Sequence, residues 1–334
     1  MKTGRWGILG TADIAHRQLI PSLRASEVAE LVAVASRDTS RAQEFAQAHR
    51  IPVSYGSYEQ LLEDDSIDIV YIPLPNHLHV RWIKQAVAAG KHVLCEKPLA
   101  LTVADVQELI ALRDATGKLI GEAYAPLHQS RLISLKHVLE SGQFGKLESL
   151  HGTFMMNLTD RENIRNAYDI SQGGGALWDI GVYPITIGRW LFDAEPVEVF
   201  CTMDMHQDSS VDHLTTGILR FASGYQMSFS CGMRYPFHTG LSGYTQTHRF
   251  TVPNPFFSDE RHQMIFEVFD GKTPEHTKTY SFAPEDQYRL QCDHFTEAAL
   301  EGTPFVGSLE RTLGNTRTLL ALIRSASSGR SERV

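Results

Sequence analysis

Apolar residues recur along the first 120 positions in two alternating rhythms. Short apolar runs fall at 5–9, 31–35, 67–72 and 91–95, and another opens at 117–121. Between them, over 14–25, 39–49, 77–89 and 103–115, apolar residues return every three or four positions, as Ile14, Ala15, Leu19, Ile20 and Leu23 do in the first of these stretches. The first rhythm predicts buried strands and the second amphipathic helices. Strands alternating with helices imply right-handed crossovers and a parallel sheet.

The rhythm changes after Leu147. Strands are predicted at 148–158, 197–205, 214–221, 225–235, 249–252, 264–269 and 277–282. The run from Tyr225 to Tyr235 alternates apolar and polar residues, and Ser223-Gly224 folds it back on 214–221 as a hairpin. Asp270-Gly271 marks a second turn, and helices are predicted at 127–139, 286–301 and 308–325. Strands without helices between them exclude an eightfold α/β barrel and point to an open, mostly antiparallel sheet. The expectation is a parallel-sheet domain over 1–122, a linker near 120–126 and an α+β domain over 123–334. Helices around 127–139 and Trp190 would cover one face of the second sheet. The other face is left for a second copy of the chain, which predicts a homodimer or dimer of dimers.

Composition narrows the class. A chain of 334 residues suits two cores. Net charge of −8 argues against a nucleic-acid partner but leaves room for a small anionic ligand bound by local basic groups. Cys95, Cys201, Cys231 and Cys292 are widely spaced, which reads as reduced thiols in a cytoplasmic protein. No apolar run approaches about 18 residues, and the first one is too short for a signal peptide, so no membrane association is expected.

In a parallel sheet of this kind, ligands gather beyond the carboxyl ends of the strands. Those ends are Gly10, Ser36, Pro73 and Glu96. The first carries Gly10, Ala12 and Ala15 where a dinucleotide fingerprint has its three small residues. Only the first glycine is kept, but the strand before and the helix after place the motif correctly. At the second end Ser36 stands where an NAD site carries an acid, with Arg37 next and Arg41 one turn on. A hydroxyl and guanidinium groups suit a 2′-phosphate, which favours NADP(H) over NAD(H), although Asp38 could still serve a ribose. The third end, Pro73-Leu74-Pro75-Asn76-His77-Leu78-His79, is stiffened by proline, with Asn76 as the expected N-cap. No standard ligand set completes His77-x-His79, so no metal is expected.

The fourth end, Val93-Leu94-Cys95-Glu96-Lys97-Pro98, puts an acid, a base and a proline directly after a buried strand. Alone it could be a plain turn; at this position in a nucleotide-binding sheet, Lys97 is a group held on rigid backbone and aimed at something. A second stretch, Gln172-Gly173-Gly174-Gly175-Ala176-Leu177-Trp178-Asp179-Ile180-Gly181-Val182-Tyr183-Pro184, leads three glycines into a helix. Asp179 and Tyr183, four apart, share one face of it.

Gly-Ile-Leu-Gly-Thr-Ala at 7–12, Pro-Leu-Pro-Asn-His-Leu-His at 73–79 and Cys-Glu-Lys-Pro-Leu-Ala at 95–100 resemble the glucose–fructose oxidoreductase, inositol dehydrogenase and rhizopine catabolism (Gfo/Idh/MocA) family. The family carries Asp-x-Gly-x-Tyr or Asp-x-Gly-x-His at 179–183. The tyrosine form here, with Asn163-Ile164-Arg165 and 248–256, resembles dimeric dihydrodiol dehydrogenase and NADP-dependent D-xylose dehydrogenase. The resemblance implies a Rossmann dinucleotide-binding domain followed by the open-sheet domain, with Glu96 and Lys97 at the nicotinamide. It implies a cofactor set of Gly10, Thr11, Ala12, Asp13, Ile14, Ser36, Arg37, Arg41, Pro73, Leu74, Asn76, His79, Glu96, Lys97 and Tyr124. Catalytic roles fall to Lys97, Tyr183, Asp179 and Glu96, and substrate contacts to Asn163, Arg165, Trp178, Asp179 and Tyr183, with Arg161 and Arg234 as further candidates. One departure is Ala125-Pro126-Leu127-His128, where many relatives carry an arginine.

The implied chemistry moves a hydride between the nicotinamide and a carbon bearing oxygen, and a proton at that oxygen. A tyrosine donates the proton if a neighbouring ammonium favours its phenolate, and the same ammonium stabilises a developing alkoxide. The expectation is an NADP(H)-dependent oxidoreductase of a sugar or cyclic polyol, whether sugar dehydrogenase or keto-sugar reductase. The alternatives are a dehydrogenase of trans-dihydrodiols or other cyclic diols, and a non-catalytic NADP(H)-binding regulator.

Overall fold

The computed structural model describes residues 3–158, 170–205, 210–258, 265–269 and 277–334. The chain divides into two compact units, Met1–His128 with Asp286–Leu313, and Gln129–Glu285 with Gly314–Val334.

The first unit is built on six parallel strands: β1 (Gly4–Leu9), β2 (Ala29–Ala35), β3 (Val53–Tyr55), β4 (Ile69–Ile72), β5 (His92–Glu96) and β6 (Ile120–Ala123). Their order is β3-β2-β1-β4-β5-β6, so the direction of winding reverses between β1 and β4. Successive side chains alternate between two buried faces. Val70 and Ile72 enter one core with Leu61, Trp82, Ile83 and Leu109 from the helices. Ile69 and Tyr71 enter the other with Leu19 and Leu23. Burial on both faces is why these strands read as near-continuous apolar runs. The helices Thr39–Ala48, Tyr58–Leu62 and Val103–Thr116 each begin on a side-chain cap, from Asp38, Ser57 and Thr102, worth about 1 kcal/mol apiece.

The expected boundary at 122/123 does not describe this unit. Residues 123–128 and 286–313 belong to it. The helix Gln287–Glu301 inserts Cys292, Phe295 and Ala298 into the second core, and the Trp6 indole donates to Thr296 Oγ1 at 3.0 Å. An apolar stripe announces that a helix packs, but not against which sheet. The short β3 and the helix Tyr58–Leu62 also lie outside the predicted elements.

The second unit is a nine-stranded sheet: β7 (Leu147–Asn157), β8 (Pro196–Met205), β9 (Asp212–Phe221), β10 (Gln226–Gly232), β11 (Arg234–Thr245), β12 (Arg249–Pro253), β13 (Ile265–Phe269), β14 (Thr277–Ser281) and β15 (Glu332–Arg333). The order is β14-β13-β12-β11-β7-β10-β9-β8-β15, antiparallel except for the β7–β10 pair. The β9–β10 hairpin forms as expected around Gly224. The predicted strand 225–235 instead ends at Gly232, and β11 is a separate long strand paired with β7. The turn expected at Asp270-Gly271 lies outside the described residues.

Helices Ser130–Glu140 and Val182–Phe192 and the later turns of Leu309–Ser328 cover one face of this sheet. The contact is close enough to need glycine: a Cβ on Gly188 would sit 2.1 Å from Met227 Sδ. The opposite face carries serines and threonines with the partly exposed Phe200, Ile218 and Tyr244. Among the described residues, no helix is long and apolar enough to cross a membrane.

Candidate active site

The predicted residues fall into two groups, one on each unit. In the first unit, the strand ends named from the sequence lie side by side along β2-β1-β4-β5. Gly10 follows β1 with φ +112°, a conformation other residues rarely adopt, and its amide donates to Ala35 O at 2.8 Å. A Cβ there would come within 3.1 Å of Leu74 Cδ2 and 3.7 Å of Tyr58 Oη. Backbone is therefore left bare at the turn where a dinucleotide fingerprint needs it. Thr11, Ala12 and Ile14 are partly exposed in the same turn, and the exposed Asp13 pairs with Arg17 at 2.8 Å.

The end of β2 bears on which nucleotide fits. Ser36 is buried, and its Oγ accepts from Asp38 N at 3.4 Å. Asp38 turns back on its own helix, where Oδ1 accepts from Arg41 N at 2.8 Å. Its carboxylate is thus engaged as a cap. Arg41 Nε donates to Thr11 Oγ1 at 2.7 Å, tying the second strand end to the first turn. Arg37 is exposed, and its charge, like that of Arg41, acts on the Tyr58 hydroxyl. Burial raises the Tyr58 phenol above its ordinary pKa, and Arg37 and Arg41 oppose the rise. The sequence motifs missed Tyr58, whose Oη lies where Gly10, Arg37 and Arg41 come together. Two arginines and a bare glycine turn fit a nucleotide bearing an extra phosphate.

At the third end, Pro73 is buried and Leu74 partly so. Asn76 is not a helix N-cap: it opens a 3₁₀ turn, Asn76–Leu78, and the α-helix starts only at His79. His79 is fully buried, with Nδ1 2.9 Å from Pro98 O and Nε2 2.7 Å from Leu74 O. It ties together the loops after β4 and β5, so it can serve a ligand only by shaping those loops.

The segment around Lys97 is held at three points. The Tyr71 hydroxyl donates to Glu96 Oε1 at 2.5 Å, and burial, then Glu96, keep that phenol protonated far above neutral pH. Pro98 O is held by His79, and Leu99 N donates to Glu122 Oε1 at 3.0 Å. Thr312 Oγ1 fixes the other oxygen of Glu122 at 3.0 Å. Lys97 itself is 7% exposed, and the bond to Pro98 is cis. None of Tyr71, Glu122 and Thr312 belongs to the motif; each reaches it from another element. Tyr124 is buried just beyond β6.

In the second unit, Gly173 and Gly175 have φ of +80° and +95°, and the chain then enters a π-helical turn, Leu177–Gly181, that runs into the helix Val182–Phe192. The expectation was an ordinary helix; wide turns of this kind are frequent at functional sites. Asp179 is buried, and Tyr183 is partly exposed one turn on. The Tyr183 ring lies against Phe154, at 5.3 Å between centroids, and Phe256, at 5.6 Å. Trp178, expected to touch substrate, is instead buried at 1% exposure among core residues.

The start of this turn is capped from a distance. Asp212 Oδ2 accepts from Leu177 N at 2.9 Å and from the Thr215 hydroxyl. Burial raises the Asp212 carboxyl above its ordinary range. A Cβ on Gly175 would fall 2.1 Å from Asp212 Oδ1, which explains the third glycine. Asp212 was not singled out from the sequence. Arg161, Asn163 and Arg165 lie outside the described residues, and Arg234 is exposed at the start of β11.

Residues 4–124 match the model of an oxidoreductase family with an NAD-binding Rossmann fold, GFO_IDH_MocA. Residues 132–252 match the C-terminal domain of the same family. Across nearly its whole length, 97% of this chain and 98% of the other, the sequence is 34% identical to the D-xylose 1-dehydrogenase (NADP(+)) of Haloferax volcanii. The chain belongs to the Gfo/Idh/MocA family. An uncharacterized oxidoreductase of Rhizobium meliloti is 40% identical over 99% of both chains. The crystal structure of a 3-ketoreductase from Actinomadura kijaniata, in complex with NADP and TDP-benzene, superposes with a TM-score of 0.88 at 29% identity over 97% of this chain and 98% of that one. This Gfo/Idh/MocA protein is an NAD(P)-dependent oxidoreductase acting on CH–OH groups.

Proposed function

We propose that the protein interconverts a hydroxyl and a carbonyl on a sugar or cyclic polyol, with NADP(H) as cofactor and Lys97 and Tyr183 handling the proton. The observation that carries the reading is the placement of Lys97: a buried lysine whose neighbours are held on both sides, the Glu96 carboxylate by Tyr71, the Pro98 carbonyl by His79 and the Leu99 amide by Glu122. Structure spent on aiming one charged group is what electrostatic stabilisation of a developing alkoxide requires. Tyr183, ringed by Phe154 and Phe256, is the matching proton donor on the second unit. Asp179, on the same face, orients the pair or a substrate hydroxyl.

The engaged Asp38 and the Arg37–Arg41 pair support NADP(H) over NAD(H), because a 2′-phosphate gains from guanidinium groups and loses from a free carboxylate. When bound, the nicotinamide supplies the hydride exchange. The residues Gly10–Ile14, Ser36, Arg37, Arg41, Pro73 and Leu74 would hold the nucleotide. The relatives named for NADP, a xylose and a TDP-linked ligand make pentoses, hexoses and nucleotide-linked sugars the substrate classes to try first. We also infer that the open face bearing Phe200, Ile218 and Tyr244 pairs with a second copy of the chain.

The test follows reduced-nicotinamide absorbance across a panel of sugars, polyols and cyclic diols. Lys97→Met and Tyr183→Phe should bind NADPH as the parent does and lose most turnover, by roughly 100-fold or more, as removal of a general acid–base or charge-stabilising group does. Wild-type turnover in either variant would remove that residue from the chemistry. Tight NADPH binding with no turnover of any panel member would instead indicate a regulatory protein.

A further inference from the structure

We propose that Arg131 is a positioning residue that fixes the orientation of Tyr183 by clamping the loop 253–257; the inference rests on the reading of Tyr183 as the proton-handling group. The loop is Pro253-Asn254-Pro255-Phe256-Phe257, at the end of β12. Two of its residues are prolines with no amide to donate, and Asn254 is left-handed at φ +47°. Within the loop Phe257 N donates to Asn254 O at 3.2 Å, and the two prolines leave few further amides to meet the remaining carbonyls, so other donors are needed.

Arg131 supplies them. Its side chain is fully buried, and its guanidinium donates to Pro253 O at 2.9 Å, Asn254 O at 2.5 Å and Phe257 O at 2.7 Å. Its Nε donates to Gln129 Oε1 at 2.7 Å, while Gln129 Nε2 donates to Pro255 O at 3.1 Å. Two side chains of one segment therefore hold four carbonyls of the loop. The Arg131 pKa is lowered to about 10 by burial, with Glu285 opposing, so the group is cationic at neutral pH. Burying a guanidinium costs several kcal/mol, which mere space-filling would not justify.

What the clamp presents is Phe256. Its ring stacks on Phe154 at 5.0 Å and 11°, and Tyr183 closes the triangle against both. The Tyr183 ring is thus set by an aromatic wall whose backbone is set by Arg131. A planar five-donor fork can span three carbonyls; a lysine ammonium on a flexible stem cannot hold that geometry.

The test is a double-mutant cycle, run with the panel sugar that turns over fastest. Arg131→Lys should lower kcat by roughly 10- to 100-fold, the scale expected of a misplacement of about 1 Å, with the NADPH Kd within about twofold of the parent. In the Tyr183→Phe background the same substitution should change the residual rate by less than about twofold, since nothing remains to misplace. Hydrogen exchange at the Phe256 and Phe257 amides should accelerate in Arg131→Lys. Parental kcat, an equal loss in both backgrounds or unchanged exchange would each overturn the proposal. If Arg131→Lys does not fold, Gln129→Met enters the same cycle with the same criteria. Failure of the underlying reading shows separately, as full activity in Tyr183→Phe alone.

Discussion

His128 gives the sharpest quantitative test. It is buried at the end of the first unit, with Nδ1 2.8 Å from His294 Nδ1 and its ring 5.4 Å from that of Phe305. Burial, reinforced by His294, lowers its pKa from 6.5 to about 3. The sign follows directly. Below pH 6.5 the unfolded chain takes up a proton here and the folded chain does not, so stability falls as pH falls across that window. Integrated from pH 7 to pH 5, this one side chain accounts for about 2 kcal/mol of acid destabilisation. The perturbation is His128→Phe, which keeps a ring against Phe305 and removes the titration. The variant starts less stable at pH 7, because His294 loses its partner, but its further loss down to pH 5 should be smaller than the parent's by about 2 kcal/mol. Urea unfolding followed by tryptophan fluorescence at the two pH values measures the difference. Titrating groups away from the His128–His294 contact, including His92 with its pKa lowered to about 4, are common to both proteins and cancel. Equal acid losses in the two proteins, within the error of the extrapolation, would show that His128 is not held neutral by the fold.

Ser36→Asp places a carboxylate at the end of β2 where a 2′-phosphate is expected. The ratio of NADP to NAD affinity, measured by titration calorimetry, should fall at least about tenfold (~1.4 kcal/mol), and an unchanged ratio would remove Ser36 from the nucleotide site. Asp212→Asn removes a carboxyl whose pKa is raised by burial. Such a group is most stabilising while protonated, and its contribution is lost as pH rises from its unfolded pKa to its folded one. The variant should therefore lose less stability than the parent on going from pH 4 to pH 7, measured by thermal unfolding, and an identical profile would mean that Asp212 is not perturbed.

What could be read in advance follows from how each residue is constrained. The strands of the first sheet are buried on both faces, so their apolar runs stand out, and each run ends where a candidate site residue begins. Gly10, Ser36 and Lys97 were accessible for that reason: their placement is a property of their own strand. The second sheet was legible where one face is wet, as in the β9–β10 hairpin. It was not legible at β11, where Pro236, Gly240 and Gly243 disfavour a strand that long-range pairing with β7 nevertheless holds. The residues missed at the candidate site share a different trait. Tyr58, Tyr71, Glu122, Asp212 and Arg131 each act through at least one partner 21 or more positions away, and most of those partners are backbone amides or carbonyls or the side chain of a motif residue. A backbone group is the same at every position, so a side chain that clamps one leaves no matching residue type in the segment it holds. Motifs therefore expose the candidate ligand-binding groups, while the side chains that hold their segments are visible only once the chain is folded. Arg131 is the extreme case, since three of its acceptors are carbonyls of a proline-rich loop that any sequence of similar shape would present.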